Sequence, residues 1–166
     1  MNAKSTTPTK KTEDASDREI VHTRVFDAPR EKVWKALTSP EHVVHWWGPN
    51  GFSTTIETME VRPGGMWKHI MKGPDGANYP NKSIFKEVVE GERIVYSHGG
   101  GREKGPGASF MATWSLETVD GNKTLMTGRM VFSTPEERDF VVKEFGAIEG
   151  GKQTLARLAE YLPKMS

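Results

Sequence analysis

The strongest constraint on the fold is a change of period along the chain. Residues 52–132 read as short segments with alternating apolar positions, each closed by a turn signal, and a helical pattern then runs to Pro163. Strand side chains alternate between faces, whereas helical ones return every three to four positions, so the change separates sheet from helix. Strands are predicted over 52–61, 66–72, 82–89, 93–98, 110–119 and 123–132. The breaks between them are Pro63-Gly64-Gly65, Gly73-Pro74-Asp75-Gly76, Glu90-Gly91-Glu92, a glycine-rich loop over 99–107, and Asp120-Gly121-Asn122, a strong hairpin signal. The strands follow one another without crossover helices, so they form an antiparallel meander.

Residues 19–27 also alternate, with Ile20, His22, Arg24 and Phe26 opposing Val21, Thr23 and Val25, which predicts a first strand. Pro29 suits the first turn of a helix with Val33, Trp34 and Leu37 as its apolar stripe. Ser39-Pro40-Glu41 opens a second short helix carrying Val43, Val44, Trp46 and Trp47, and Gly48-Pro49-Asn50-Gly51 ends it. At the other end Thr134, Pro135 and Glu137 fit the N-cap, N1 and N3 positions of a capping box. Val141, Phe145, Ile148, Leu155, Leu158 and Leu162 supply the stripe of a long final helix, with a kink expected near Gly146. The fold class is therefore α+β: a curved antiparallel sheet of about seven strands around a long C-terminal helix, with two short helices after the first strand. Residues 1–17 are polar and lack periodicity, so a disordered tail is expected, with the folded domain over 18–163.

Charge and composition exclude several functions. The chain of 166 residues has a net charge of +1 and no basic arm or stripe, so nucleic acid is not an expected partner. It has no cysteine, which removes thiol chemistry, disulfides and thiolate-bound zinc. No stretch approaches the roughly 18 apolar residues of a membrane span. The N-terminus has no apolar signal region, and a cytoplasmic location is expected. Gly99-Gly100-Gly101 has no lysine-serine or lysine-threonine ending and no following helix, so it is not a phosphate loop.

Strand parity sorts the sheet faces. Trp67, His69 and Met71 share one face, as do Ile94, Tyr96 and His98; Phe110, Ala112, Trp114 and Leu116; and Met126, Gly128, Met130 and Phe132. These faces must meet the final helix. A face rich in tryptophan and methionine, with His69, Tyr96 and His98 as polar tips, is the chemistry of a ligand pocket; the competing reading is an irregular core filled by flexible and aromatic side chains. Gly150-Gly151 removes volume from the facing helix. His69 and His98 would need a third ligand to hold a metal, and no acidic residue clearly shares their face, so neither metal nor cofactor is expected.

The runs HWWGPNGF (45–52), VRPGG (61–65), MKGPDG (71–76), FDAPREKVWKALTSPEHVVHWW (26–47), VVEGERIVYS (88–97) and EGGKQTLARLAEYL (149–162) together resemble the single-domain relatives of the heat-shock-protein-90 ATPase activator. That family belongs to the START and birch-pollen-allergen superfamily. The resemblance covers about residues 19–162 and implies a helix-grip fold with a cavity between sheet and helix that holds hydrophobic molecules. It carries no shared catalytic motif. Gly151 stands where many members have tryptophan, which should widen the cavity or bring the helix closer.

The expected function is binding of a small hydrophobic molecule by Trp46, Trp47, Trp67, His69, Tyr96, His98, Trp114, Met130, Phe145 and Gly151. The alternatives are an enzyme acting on a bound ring compound or lipid-like substrate, with His69 or Glu149 as acid–base candidates, and an interaction module, either chaperone-related or a homodimer through a sheet edge.

Overall fold

The computed structural model describes residues 16–100 and 107–165. The expected tail lies outside these residues except for Ser16 and Asp17, which open a 3-10 turn, Ser16–Arg18. Most of the glycine-rich loop, residues 101–106, also lies outside them.

Strands β1 (Glu19–Phe26), β2 (Ser53–Met59), β3 (Met66–Lys72), β4 (Asn78–Val89), β5 (Arg93–Gly100), β6 (Phe110–Val119) and β7 (Lys123–Val131) form one antiparallel sheet in the order β1-β7-β6-β5-β4-β3-β2. Strands β2 to β7 are a meander. The first strand closes the far edge by pairing with the last, Glu19 opposite Val131. Glu57 and Lys86 are extra residues where the β2–β3 and β4–β5 registers shift. Such bulges bend and twist a strand, and here they curve the sheet. Asp120 and Gly121 both take positive φ, 37° and 78°, as the hairpin signal requires.

Strand β4 begins four residues earlier than the sequence implies and includes Pro80. At Pro80 the strand pairs with β3 alone, since the β5 register starts at Asn81, so a missing N–H is tolerated there.

Helices α1 (Arg30–Thr38) and α2 (Pro40–Val43) follow β1 and bury Val33, Ala36, Leu37 and Val43. The second is shorter than expected. Trp46 and Trp47 lie in the turn beyond it, where the chain tightens ahead of Gly48-Pro49 through bonds such as Trp46 N–H to the Val43 carbonyl, 3.3 Å. The expected long final helix is two helices, α3 (Pro135–Phe145) and α4 (Ala147–Tyr161). Gly146 ends the first in the left-handed conformation (φ 59°, ψ 40°) and caps the second, so the anticipated kink is a full break.

The inner face of the sheet, α1 and α4 enclose the main core, with Phe26, Phe85, Ile94, Met126, Leu155 and Leu158 at its centre. Ile20, Phe132 and Val141 form a second cluster under α3. Among the described residues the two clusters share only the half-buried Phe110 and Met130 at their margins. Among the described residues no helix is long and apolar enough to cross a membrane.

Candidate functional site

Where the two clusters meet, sheet and helices do not close. A cleft of about 340 Å³ remains between β1 and β3 to β7 on one side and α3 and α4 on the other. That volume lies near the lower end of the roughly 300–1,000 Å³ of small-molecule sites.

The sheet supplies the aromatic and polar wall. Trp114 on β6 and Tyr96 on β5 line the cleft, and the Trp114 indole N–H donates to the Tyr96 hydroxyl at 3.0 Å. Burial raises the Tyr96 pKa, so the phenol stays neutral. The His98 ring stacks on Phe110 with centroids 4.6 Å apart, and its Nδ1 is 3.2 Å from the Ser83 hydroxyl. His69 stacks on Trp67 at 4.5 Å. Burial, and then the neighbouring His98, lower the His69 pKa to about 3; burial lowers that of His98 to about 4. Both rings are therefore uncharged at neutral pH. Among the described residues, the charged side chain that lines the cleft is Glu144, on α3.

The opposite wall is open because of glycine. Gly150 and Gly151 line the cleft from α4 together with Ala147 and Thr154, and a Cβ at Gly151 would collide with the His22 ring. His22, on β1, lies against the helix backbone, and its Nε2–H donates to the Ile148 carbonyl at 2.9 Å. A carbonyl only accepts, so Nε2 carries a proton in this bond. His22 Nδ1 and His69 Nδ1 are buried without a hydrogen-bond partner. Both nitrogens, like Trp67 Nε1, are closed off from the open space of the cleft.

The mouth is formed by the turn from Trp47 to Phe52. Arg157 on α4 holds this turn through bonds to the Gly48 and Pro49 carbonyls, 2.8 and 3.1 Å, and the Gln153 side-chain oxygen accepts from Asn50 N–H at 3.1 Å.

Of the residues singled out in the sequence, Trp47, His69, Tyr96, His98, Trp114, Met130, Phe145 and Gly151 line the cleft. Trp46 and Trp67 do not. Trp46 is fully buried behind the mouth, its indole N–H donating to the Ala36 carbonyl at 3.0 Å. Trp67 backs the His69 ring. Consecutive residues such as Trp46 and Trp47 point in different directions on a helical turn, which is why only one reaches the cleft. Sequence reasoning missed His22, Met71, Phe52, Tyr79 and Asn81. His22 and Met71 carried a signal, since each lies on the inward parity of its strand. Among the described residues no group of three His, Asp or Glu side chains is placed to hold a metal ion.

Residues 27–163 match the family described as "Activator of Hsp90 ATPase homolog 1-like protein". The chain belongs to this family. The motif resemblance is thus borne out, and the helix-grip architecture agrees with solved structures. A protein from Arthrobacter aurescens superimposes with a TM-score of 0.82 at 26% identity, over 92% of this chain and 90% of that one. Protein Ms6760 from Mycobacterium smegmatis gives a TM-score of 0.79 over 90% of this chain and 93% of that one; at 24% identity it speaks for the fold alone. A Phoma sp protein named as a candidate hetero-Diels-Alderase is 30% identical over 152 residues, which are 84% of this chain and 40% of that protein, so the chain spans less than half of that relative. The space that a larger side chain at Gly151 would fill holds the His22 ring.

Proposed function

We propose that this protein binds a small apolar molecule in the cleft between the sheet and α4. The observation that supports the reading is an open cleft lined by aromatic and apolar side chains, with uncharged His69, Tyr96 and His98 among its polar groups. Neutral rings and a neutral phenol offer hydrogen bonds without the desolvation cost of a charge. Burying roughly 250 Å² of apolar ligand surface at about 25 cal/mol per Å² supplies about 6 kcal/mol. This corresponds to roughly 40 µM before immobilisation costs, so tighter binding needs the polar groups. Native mass spectrometry and dye displacement on delipidated protein should reveal a bound small molecule. No bound species and no dye uptake would remove the proposal.

A second reading is catalysis on a bound ring compound, favoured by the Phoma relative. A hetero-Diels-Alder reaction needs its two partners held in register and a donor on the heteroatom, but no nucleophile or strong base. An apolar cleft with neutral donors meets those needs. This reading predicts that a tethered diene–aldehyde cyclises faster with the protein than without it, and that a cleft-bound dye abolishes the difference.

A further inference from the structure

Resting on the binding reading, we propose that His69 anchors the ligand: its open ring nitrogen, Nε2, donates a hydrogen bond to the carbonyl oxygen of an otherwise apolar ketone, aldehyde or lactone.

The two nitrogens of this ring have different surroundings. Nδ1 is closed off and has no partner. Nε2 also has no partner among the described residues, yet it is not closed off, and the ring it belongs to lines the cleft. The residue as a whole is only 3% exposed, so the surface it keeps is the part turned to the cleft. Burial lowers the pKa to about 3, so the neutral ring carries one proton. An unpaired N–H sealed inside protein is rarer than an unpaired acceptor. The proton is therefore assigned to Nε2, where a ligand reaches it.

The ring is also held in place. It stacks on Trp67 with centroids 4.5 Å apart and planes 23° apart, and the Trp47 ring meets it edge-on at 6.4 Å. Trp67 in turn stacks on Phe85, 6.4 Å away. A donor fixed before the ligand arrives adds little ordering cost to binding.

The position of His69 gives the ligand a direction. Strand β3 stands four places from β7 in the sheet, roughly 19 Å along the curve at the usual strand spacing. Phe110, Met130, Val141 and Phe145 offer an apolar berth at that far end. The oxygen of the ligand thus lies towards β3 and its hydrocarbon towards β7 and α3.

The acceptor is a neutral one. Among the described residues no lysine or arginine lines the cleft, and Glu144 is acidic. A carboxylate would be buried there without a cation, whereas a carbonyl oxygen carries no charge to desolvate. A cleft that merely excludes water prefers the more apolar of two molecules of one shape. A cleft with an unpaired donor prefers the one with an acceptor, because the other leaves the donor desolvated.

The test uses 2-acetylnaphthalene and 2-isopropenylnaphthalene, which share one shape and differ in carbonyl oxygen against methylene. Titration of the full-length protein should give the ketone the tighter binding by about tenfold, against the order set by hydrophobicity. The infrared carbonyl stretch of the bound ketone should fall below its value in hexane. In nitrogen-15 histidine-labelled protein the protonated nitrogen of His69 should move downfield with the ketone and stay put with the alkene. His69→Phe, which keeps a ring on Trp67, should reverse the preference and return the stretch to its apolar value. The nitrogen resonance of the native protein decides the matter if that variant does not fold. Equal or reversed affinities in the native protein, an unmoved His69 resonance, or a lowered stretch that persists in His69→Phe would overturn the proposal while ligand binding stood. Binding of neither compound, with no dye uptake, would overturn the binding reading itself and this inference with it.

Discussion

The indole of Trp114 lies across Gly128, the residue that faces it on the neighbouring strand. A methyl group at Gly128 would collide with the six-membered ring of the indole, so the cleft wall depends on an absent side chain. Gly128→Ala should push Trp114 off its site and break its bond to the Tyr96 hydroxyl. Overpacking of this kind costs about 1–3 kcal/mol. Urea unfolding should show a lower midpoint at unchanged slope, and dye binding in the cleft should weaken. An unchanged midpoint would show that the indole repacks freely.

The imidazoles of His69 and His98 make stability depend on acidity. The His69 pKa falls from 6.5 to about 3 and that of His98 to about 4, so the unfolded chain takes up protons before the folded one does. Their contribution is fully present above pH 6.5 and is lost as pH falls towards 4, where the His98 part levels off, and towards 3 for His69. Each ring can remove up to about 1.4 kcal/mol per pH unit across its window. Denaturant unfolding at pH 7 and pH 5 should show this loss, and His69→Gln should reduce it. A variant as acid-sensitive as the native protein would show that His69 does not titrate as described.

The adjacent indoles Trp46 and Trp47 should separate in experiment. Trp46→Phe leaves the buried Ala36 carbonyl without its donor and should cost about 1–3 kcal/mol of stability with little change in dye affinity. Trp47→Ala removes part of the cleft wall and should weaken dye binding in protein that remains folded. Equal effects of the two on affinity would contradict the placement of Trp46 behind the wall.

At Gly146 only the backbone is at issue. Nothing lies within 4 Å of a Cβ added there, yet φ is +59°, so Gly146→Ala should cost about 1 kcal/mol through conformation alone. Gly146→Asn should cost less, because asparagine tolerates this region. Thermal unfolding of the two variants checks the order.

The sheet and most of its inward-facing residues were legible because alternation is local. Tyr96, His98, Trp114 and Met130 lie on the predicted parity and line the cleft. His22 escaped because the inward parity of β1 also carries Arg24, which is exposed, so that strand did not read as wholly apolar. Phe52, Tyr79 and Asn81 reach the cleft through the curvature of the sheet and the path of the mouth turn, which no local pattern encodes. The break at Gly146 was visible only as a kink, since the apolar stripe continues across it and conceals the left-handed residue.

The division of the interior into two clusters joined at Phe110 and Met130 gives the molecule a mechanical seam. The segment bearing Val141 and Phe145 can part from the rest without disturbing Leu155 and Leu158, so its amides should exchange with solvent at a cost well below that of global unfolding. Anything lodged at the seam touches both halves at once and acts as mortar between them, and its presence should be felt as slower exchange in the outer helix.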